Sequence, residues 1–399
     1  MASYTKIPAK NKQGYKWICV KDGPLDPITG KRNQIKRRGD TKKQAEERVD
    51  KALKLLKQDG INEKNIKNLP FIKVAKEWLD AYALTGKKPG TIRLRKNSIS
   101  TLNQYIQKVN IDKLTANTHQ KILNKLHEKE LSRSTIEGVH VTANLIYKYA
   151  IKEKYRKDNP ATGAIIPTKP LTIEEIESNP IEEKYLERKE LNLFLNTTQT
   201  EGLELDKEIF YLLTFTGMRL GELLALKWSD VNFETRRIRV TKTLYNEKNN
   251  MYEYQLLPPK TKGSIREFDI DELILKMLLD HREKQKEVIS SIRTIDGNYH
   301  NENFIFCRVN GYPYIHKFVS NRMNRLLSKA KISKKATPHI FRHTHISMLA
   351  EAGVDLTTIM KRVGHDDPKT TLQIYTHVTD KMQQNAADKL RVSFSDLLT

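Results

Sequence analysis

Between Asn159 and Glu183 the chain places Pro160, Pro167, Pro170 and Pro180. Each proline lacks the amide N–H that a helix or a strand ladder needs, and each fixes its own φ. A stretch of that density reads as an interdomain linker rather than as part of a regular element. The apolar residues on either side must therefore be buried separately. At 399 residues the chain is also too long for one ordinary core. The expected organisation is a small N-terminal domain over 1–64, a helical domain over 68–160, a linker over 161–184 and a larger domain over 185–399.

The second domain carries helical periodicity throughout. Phe71, Val74, Ala75, Trp78, Leu79 and Tyr82 fall on one face, and after Lys88-Pro89-Gly90 the stripe resumes as Ile99, Leu102, Ile106 and Val109. Ile122, Leu123 and Leu126 mark a third helix. A fourth is expected to open on the capping box Ser134-x-x-Glu137 and to bury Ile136, Val139, Ala143, Ile146, Tyr147 and Ala150. These stripes are core, and the outer faces carry Arg93, Arg95, Lys96, Lys148, Lys152 and Arg156. A four-helix domain with a basic face follows.

The formal net charge is +23, which predicts attraction to a polyanion: nucleic acid or an anionic membrane surface. No apolar run approaches the roughly 20 residues that span a bilayer, so nucleic acid is the favoured partner. Cys19 and Cys307 are the only cysteines. They form neither a disulfide framework nor a metal clip. The basic, polar stretch Met1 to Lys21 does not read as a secretory signal, and a reducing cytoplasm is the expected compartment. Residues 1–60 hold 16 Lys and Arg against 7 Asp and Glu. Strands are expected at Tyr15–Lys21 and Asn33–Arg38 around the turn-rich Asp22–Gly30. A helix from Thr41 follows, with Ala45, Val49, Ala52, Leu53 and Leu56 on one face. Lys36 and Arg37 on the second strand, beside Tyr15 and Trp17, are candidate DNA contacts.

The last domain mixes helices with three expected antiparallel strands, Arg236–Thr243, Tyr252–Leu257 and Ser264–Ile270. A helix over Lys207–Thr216 is stopped by Gly217, and another is expected from near Arg219 to Trp228. An arginine in a first helical turn opposes the helix dipole, so stability does not explain Arg219; its fork suits a phosphate. In Thr337-Pro338-His339-Ile340-Phe341-Arg342-His343-Thr344-His345, Thr337 can cap and Pro338 suits the first helical position. His339 and Arg342 then share a face, while His345 falls in line with Phe341, Met348 and Leu349 as a core histidine. His339 and His343 are four apart, but no His-Glu-x-x-His glutamate and no cysteine completes a metal set. Gly364 ends a helix begun at Asp355, followed by His365, and a helix from Asp367-Pro368 carries Tyr375. A lone tyrosine at such a position is ordinarily a packed aromatic. The combination changes the reading: two arginines, two histidines and a tyrosine suit phosphoryl transfer without metal. Guanidinium and imidazole donors stabilise charge on nonbridging oxygens, and a phenol can attack phosphorus. No nucleotide-binding Gly-x-x-x-x-Gly-Lys-[Ser/Thr] is present, so no ATP is expected.

The stretches Thr-Gly-Met-Arg-Leu-Gly-Glu, His-Ile-Phe-Arg-His-Thr, Val-Gly-His and Ile-Tyr-Thr-His-Val, in this order and spacing, make the chain resemble the tyrosine recombinases. The nearest likeness is to integrases of temperate phages and conjugative elements of Gram-positive bacteria. The resemblance implies that Arg219 and Arg342 hold the scissile phosphate, and that His339 and His365 hydrogen-bond it or handle the nucleophile's proton. Tyr375 would attack to leave a 3′-phosphotyrosyl link, with Glu222 supporting the site. It implies a general-acid lysine on a hairpin turn, best matched by Lys260 in Pro259-Lys260-Thr261-Lys262-Gly263-Ser264-Ile265-Arg266, with Lys262 two residues away. The His365-to-Tyr375 spacing is one longer than in some relatives, a tolerated loop difference. The implied architecture is multidomain and mainly α. It has a sheet-plus-helix arm-site domain, a four-helix core-binding domain, and a mostly α catalytic domain with a three-stranded antiparallel sheet. The implied partners are double-stranded DNA at attachment sites, a homotetramer on synapsed DNA, a host DNA-bending protein and an excision factor. A chromosome-dimer resolution or inversion recombinase shares the chemistry but usually lacks an arm-binding domain, which residues 1–60 supply.

Overall fold

The computed structural model describes residues 2–11, 13–25, 32–59, 69–170, 173, 184–259, 261–295, 299–334, 336–369 and 371–379. The chain divides into two compact units, 1–170 and 171–399. No described helix is long and apolar enough to cross a membrane.

The first unit opens with three strands where the sequence predicts two. β1 (Ser3–Pro8) pairs antiparallel with β2 (Tyr15–Leu25), which pairs with β3 (Arg32–Gly39). In β1 the half-buried Tyr4 and Ile7 lie three apart and so on opposite faces, which leaves no alternation to mark a strand without its partner. β2 also runs on through Asp22-Gly23-Pro24, which reads locally as a turn. Helix α1 (Lys42–Asp59) covers one sheet face through Ala45, Val49 and Ala52 against Cys19 and Ile35. Side chains alternate along a strand, and Cys19 sits opposite Arg37 while Val20 sits opposite Lys36. Lys36 and Arg37 therefore point to opposite faces. Arg37 is half-buried on the helix side. Lys36 and Arg38 are exposed on the uncovered face.

Four helices follow, as the periodicity predicts: α2 (Phe71–Ala83), α3 (Pro89–Ile106), α4 (Ala116–Glu128) and α5 (Arg133–Lys152). Their core is Phe71, Val74, Trp78, Leu102, Ile106, Leu123, Ile136, Ile146 and Tyr147 with their neighbours. Pro89 occupies the first turn of α3, where its missing N–H costs nothing. The capping assignment at α5 is corrected: Ser132, not Ser134, accepts from the Thr135 N–H. Arg93, Lys96, Lys148 and Lys152 are exposed. Arg95 is half-buried and donates to Thr142 Oγ1 at 3.0 Å. Arg156, expected on the basic face, is instead buried and donates to the carbonyls of Ile111 and Leu114 at 2.7 and 3.0 Å. It satisfies loop carbonyls that would otherwise be orphaned in the core.

In the second unit, α6 (Arg188–Glu201), α7 (Asp206–Thr216) and the five-residue α8 (Leu220–Leu224) lead into a sheet. The sheet is β4 (Val231–Asn232), β5 (Arg237–Val240) and β8 (Arg266–Asp269), antiparallel in the order β4-β5-β8. Between β5 and β8 stands a separate ribbon of β6 (Thr243–Tyr245) and β7 (Gln255–Leu257). The three-stranded sheet is thus as expected in number but not in membership. Ile238, Val240 and Leu244 keep the same alternation across the break at 241–242, so periodicity alone cannot see one strand become two. The last helices are α9 (Glu272–Ile295), α10 (His316–Lys329), α11 (Ile340–Glu351), α12 (Leu356–Val363) and α13 over 371–379.

Two cores position the site. Phe194, Phe210 and Phe341 interlock with ring centroids 5.1 to 5.5 Å apart and fasten α11 to α6 and α7. A second cluster, Ile346, Ala350, Ile359, Val363, Ile374 and Val378, seats α12 and α13 against α11. The four sequence motifs, distant along the chain, meet where these cores adjoin.

Candidate active site

Helix α7 ends on Gly217 at φ +62°, a left-handed cap that side chains rarely adopt. A Cβ there would also lie 2.7 Å from the His345 ring. The chain turns at once, and Arg219 becomes the residue that precedes α8 rather than a member of its first turn. Glu222, one turn on, accepts from the Arg219 backbone N–H at 3.0 Å and from its Nη1 at 2.8 Å. Arg219 Nη2 donates to the carbonyl of Gly364 at 3.3 Å, and about a third of the side chain, 34%, stays exposed.

Arg342, on α11, is fully buried. Its Nη1 donates to Gly217 O at 2.8 Å, its Nη2 to Val363 O, and its Nε to His365 Nε2 at 3.1 Å. One guanidinium thus ties the turn before Arg219 to the end of α12 and to His365. Gly364 caps α12 at φ +70° and turns the chain so that His365 faces back toward Arg342. His365 Nδ1 meets Thr371 Oγ1, in α13, at 2.6 Å.

Arg266, at the start of β8, lies beneath these groups. Its Nη2 pairs with Glu222 Oε2 at 2.9 Å, its Nε donates to Arg362 O at 2.7 Å and its Nη1 to Ser264 O at 3.1 Å. The turn before it presses on the His365 loop: a Cβ on Gly263 would fall 2.0 Å from Asp366 Oδ1. A cleft of about 240 Å³ opens between Arg219, Thr261, Ser264, Gly364, His365, Asp366 and Asp367. Lys260 and the side chain of Lys262 lie outside the described residues.

The electrostatics favour a neutral imidazole set around fixed cations. Burial, then Arg342 and Arg219, push His365 down to about 3. His339, although exposed to solvent, is brought down to about 4 by desolvation and then by the same two arginines. His343, edge to face with His339 at 4.7 Å, is lowered to about 4 by burial and then by His339. Burial alone would raise Glu222, but the Arg266 charge and hydrogen bond, then Arg219, hold it below the usual carboxylate range. Burial, then Arg219, strains the charge on Arg342; a guanidinium still keeps its proton. An anion entering the cleft would relieve that strain.

The structure brings Arg219, Glu222, Arg342 and His365 into one hydrogen-bonded cluster, with His339 beside Arg342. Tyr375 stands on α13 one turn after Thr371, half-buried against the second core. His345 is buried, as expected, and spans Thr214 O and Arg362 Nε at 2.9 and 3.2 Å. Sequence reasoning missed Arg266 and Thr371. The signal for Arg266 was present: it and Phe268 occupy the inward positions of β8, and a charge at an inward position needs a buried partner. Thr371 carries no such signal, since its value comes from where the loop folds.

Comparison with known proteins identifies the family. The Phage integrase family matches residues 184–382, and the Phage integrase SAM-like domain matches residues 70–165. The prophage ps2 probable integrase of Lactococcus lactis subsp. lactis (strain IL1403) is 32% identical, covering 92% of this chain and 94% of its own. Among solved structures, the Tn1549 transposon integrase in complex with transposon right end DNA is 21% identical with a TM-score of 0.62, covering 83% of this chain and 100% of that one. A lambda integrase tetramer bound to a Holliday junction is 16% identical with a TM-score of 0.56, covering 90% and 91%. With a third of its residues shared with an integrase along nearly its whole length, the chain belongs to the phage integrase family and is a site-specific tyrosine recombinase.

Proposed function

We propose that this recombinase integrates and excises a mobile element at attachment sites, with Tyr375 as nucleophile. The observation that carries the reading is that Arg219 and His365 line one cleft, with buried Arg342 hydrogen-bonded to His365 behind it, immediately before the helix bearing Tyr375. The phenol attacks the scissile phosphorus and the 5′-oxygen leaves, so the bond energy stays in a 3′-phosphotyrosyl link. Reversal by another strand's 5′-hydroxyl then needs neither ATP nor metal. Arg219 and Arg342 neutralise the nonbridging oxygens as charge builds, Glu222 holds Arg219 in register, and His339 and His365 donate hydrogen bonds to the same oxygens. Lys260 protonates the leaving oxygen.

Four protomers on two duplexes, joined through a Holliday junction, suit this chemistry, and the lambda tetramer is the analogy for it. The domain layout is an arm-site domain over 1–64, a core-binding domain over 68–160 and a catalytic domain over 185–399. The exposed Arg93, Lys96, Lys148 and Lys152, with half-buried Arg95, contact the core site. Lys36 and its face-mate Arg38 contact the arm site. A host DNA-bending protein and an excision factor set direction, and the enzyme works in the bacterial cytoplasm at the nucleoid. The test is covalent capture on a nicked duplex spanning the attachment-site core, taken from the direct repeats flanking the integrated element. The native protein should form an adduct that survives denaturing electrophoresis, and Tyr375→Phe should bind the duplex without forming one. A persistent adduct in Tyr375→Phe overturns the assignment.

A further inference from the structure

We propose that Thr371 is a positioning residue whose hydroxyl lets His365 move its single proton from Nδ1 to Nε2 when a phosphate enters the cleft. This rests on the recombinase reading above and deepens it. Arg342 Nε always carries hydrogen and donates to His365 Nε2 at 3.1 Å. A neutral imidazole has one N–H, so the proton is on Nδ1 and is donated to Thr371 Oγ1 at 2.6 Å. In that state His365 has no donor to offer a phosphate oxygen, because its cleft-side nitrogen is an acceptor.

Two routes give Nε2 a proton. One adds a second proton to the ring. Arg342, Arg219, His339 and His343 face His365 and oppose it, while Asp366 and Asp367 follow on its own loop. The other keeps one proton: Nδ1 releases its proton to solvent, Nε2 takes one from solvent, and the net charge is unchanged. Nδ1 is then an acceptor and needs a donor. The Thr371 hydroxyl can rotate to supply it, since a hydroxyl both accepts and donates. Thr371 is fully buried, so its own hydroxyl must serve in both states. Arg342 Nε, released from Nε2, is free to turn to the same phosphate. The arrangement also ties the event to the nucleophile, because Thr371 precedes Tyr375 by one turn of α13.

The test measures the rate of covalent adduct formation on the nicked attachment-core duplex for the full-length native protein, Thr371→Val and Thr371→Ser. Valine keeps the shape and removes the hydroxyl. Thr371→Val should be slower by about tenfold to a hundredfold, the cost of one unpaired buried polar group, and Thr371→Ser should recover most of that loss. Thr371→Ala against Thr371→Ser repeats the comparison at smaller volume should valine fail to fold. A hydroxyl-free variant as fast as the native protein overturns the proposal. So does a serine variant as slow as the hydroxyl-free one. A native protein that forms no adduct at all would instead sink the recombinase reading of Tyr375, a distinguishable outcome.

Discussion

Arg266 Nη2 and Glu222 Oε2 lie 2.9 Å apart with both side chains buried, and the other oxygen of the same carboxylate holds Arg219 Nη1 at 2.8 Å. Arg219 is thus braced by a carboxylate that is itself braced by a second arginine. Removing one member of a buried ion pair leaves an uncompensated charge, which costs about 3–5 kcal/mol. Arg266→Met should lower the unfolding free energy by about that amount, and adding Glu222→Gln should restore a large part of it. Urea unfolding of the two single variants and the double variant measures the coupling. Simple additivity would mean that the pair does not act as a unit.

Stability should fall on the acid side of neutrality. The folded-state values of His339, His343 and His365 are about 4, about 4 and about 3, against an ordinary 6.5. The unfolded chain therefore binds more protons than the folded one between those limits. The stabilisation is complete above pH 6.5 and is lost as the pH falls toward 4, at up to about 1.4 kcal/mol per pH unit for each of His343 and His365 and by less for His339, whose exposure lets solvent screen it. Thermal melting from pH 8 downward should show this slope, shallower in His365→Gln. An unchanged slope in that variant would mean that His365 titrates normally in the folded protein.

The proposed acid, Lys260, is separable from its neighbour Lys262 by a sulfur substitution. An alkoxide leaves poorly without a proton, whereas a thiolate leaves readily. Lys260→Ala should cleave an ordinary site very slowly and a 5′-bridging phosphorothiolate site at nearly the native rate. Lys262→Ala should cleave both well. Arg219→Ala should remain slow on both, because its charge acts on the nonbridging oxygens. Rescue of Lys262→Ala instead would move the acid two residues along the chain.

The uncovered face of the N-terminal sheet should carry the salt dependence of arm-site binding. Each neutralised phosphate contributes about one unit to the slope of log affinity against log salt. Lys36→Ala and Arg38→Ala should each lower the slope by about one unit, and Arg37→Ala, half-buried on the helix side, should leave it unchanged. Filter binding to attachment-region fragments over a salt series decides it. A slope lost with Arg37 and retained without Lys36 would place the DNA on the opposite face.

The sequence by itself determined the four helices of the first unit and the family to which the chain belongs. Helical stripes such as Phe71, Val74 and Trp78 repeat within one turn or two, and motifs such as Thr-Gly-Met-Arg are read over a few adjacent residues. Only tertiary structure decided the rest. That β7 leaves the main sheet for β6, that Arg156 faces inward, and that Lys36 and Arg37 part to opposite faces depend on pairing and packing partners far along the chain. The same holds for the support of the site. Arg266 meets Glu222 across 44 residues and Arg342 meets Gly217 across 125. Such contacts form because buried charges and carbonyls must find partners, and which partners they find is set by how the two cores of this unit bring α7, β8, α11 and α12 together.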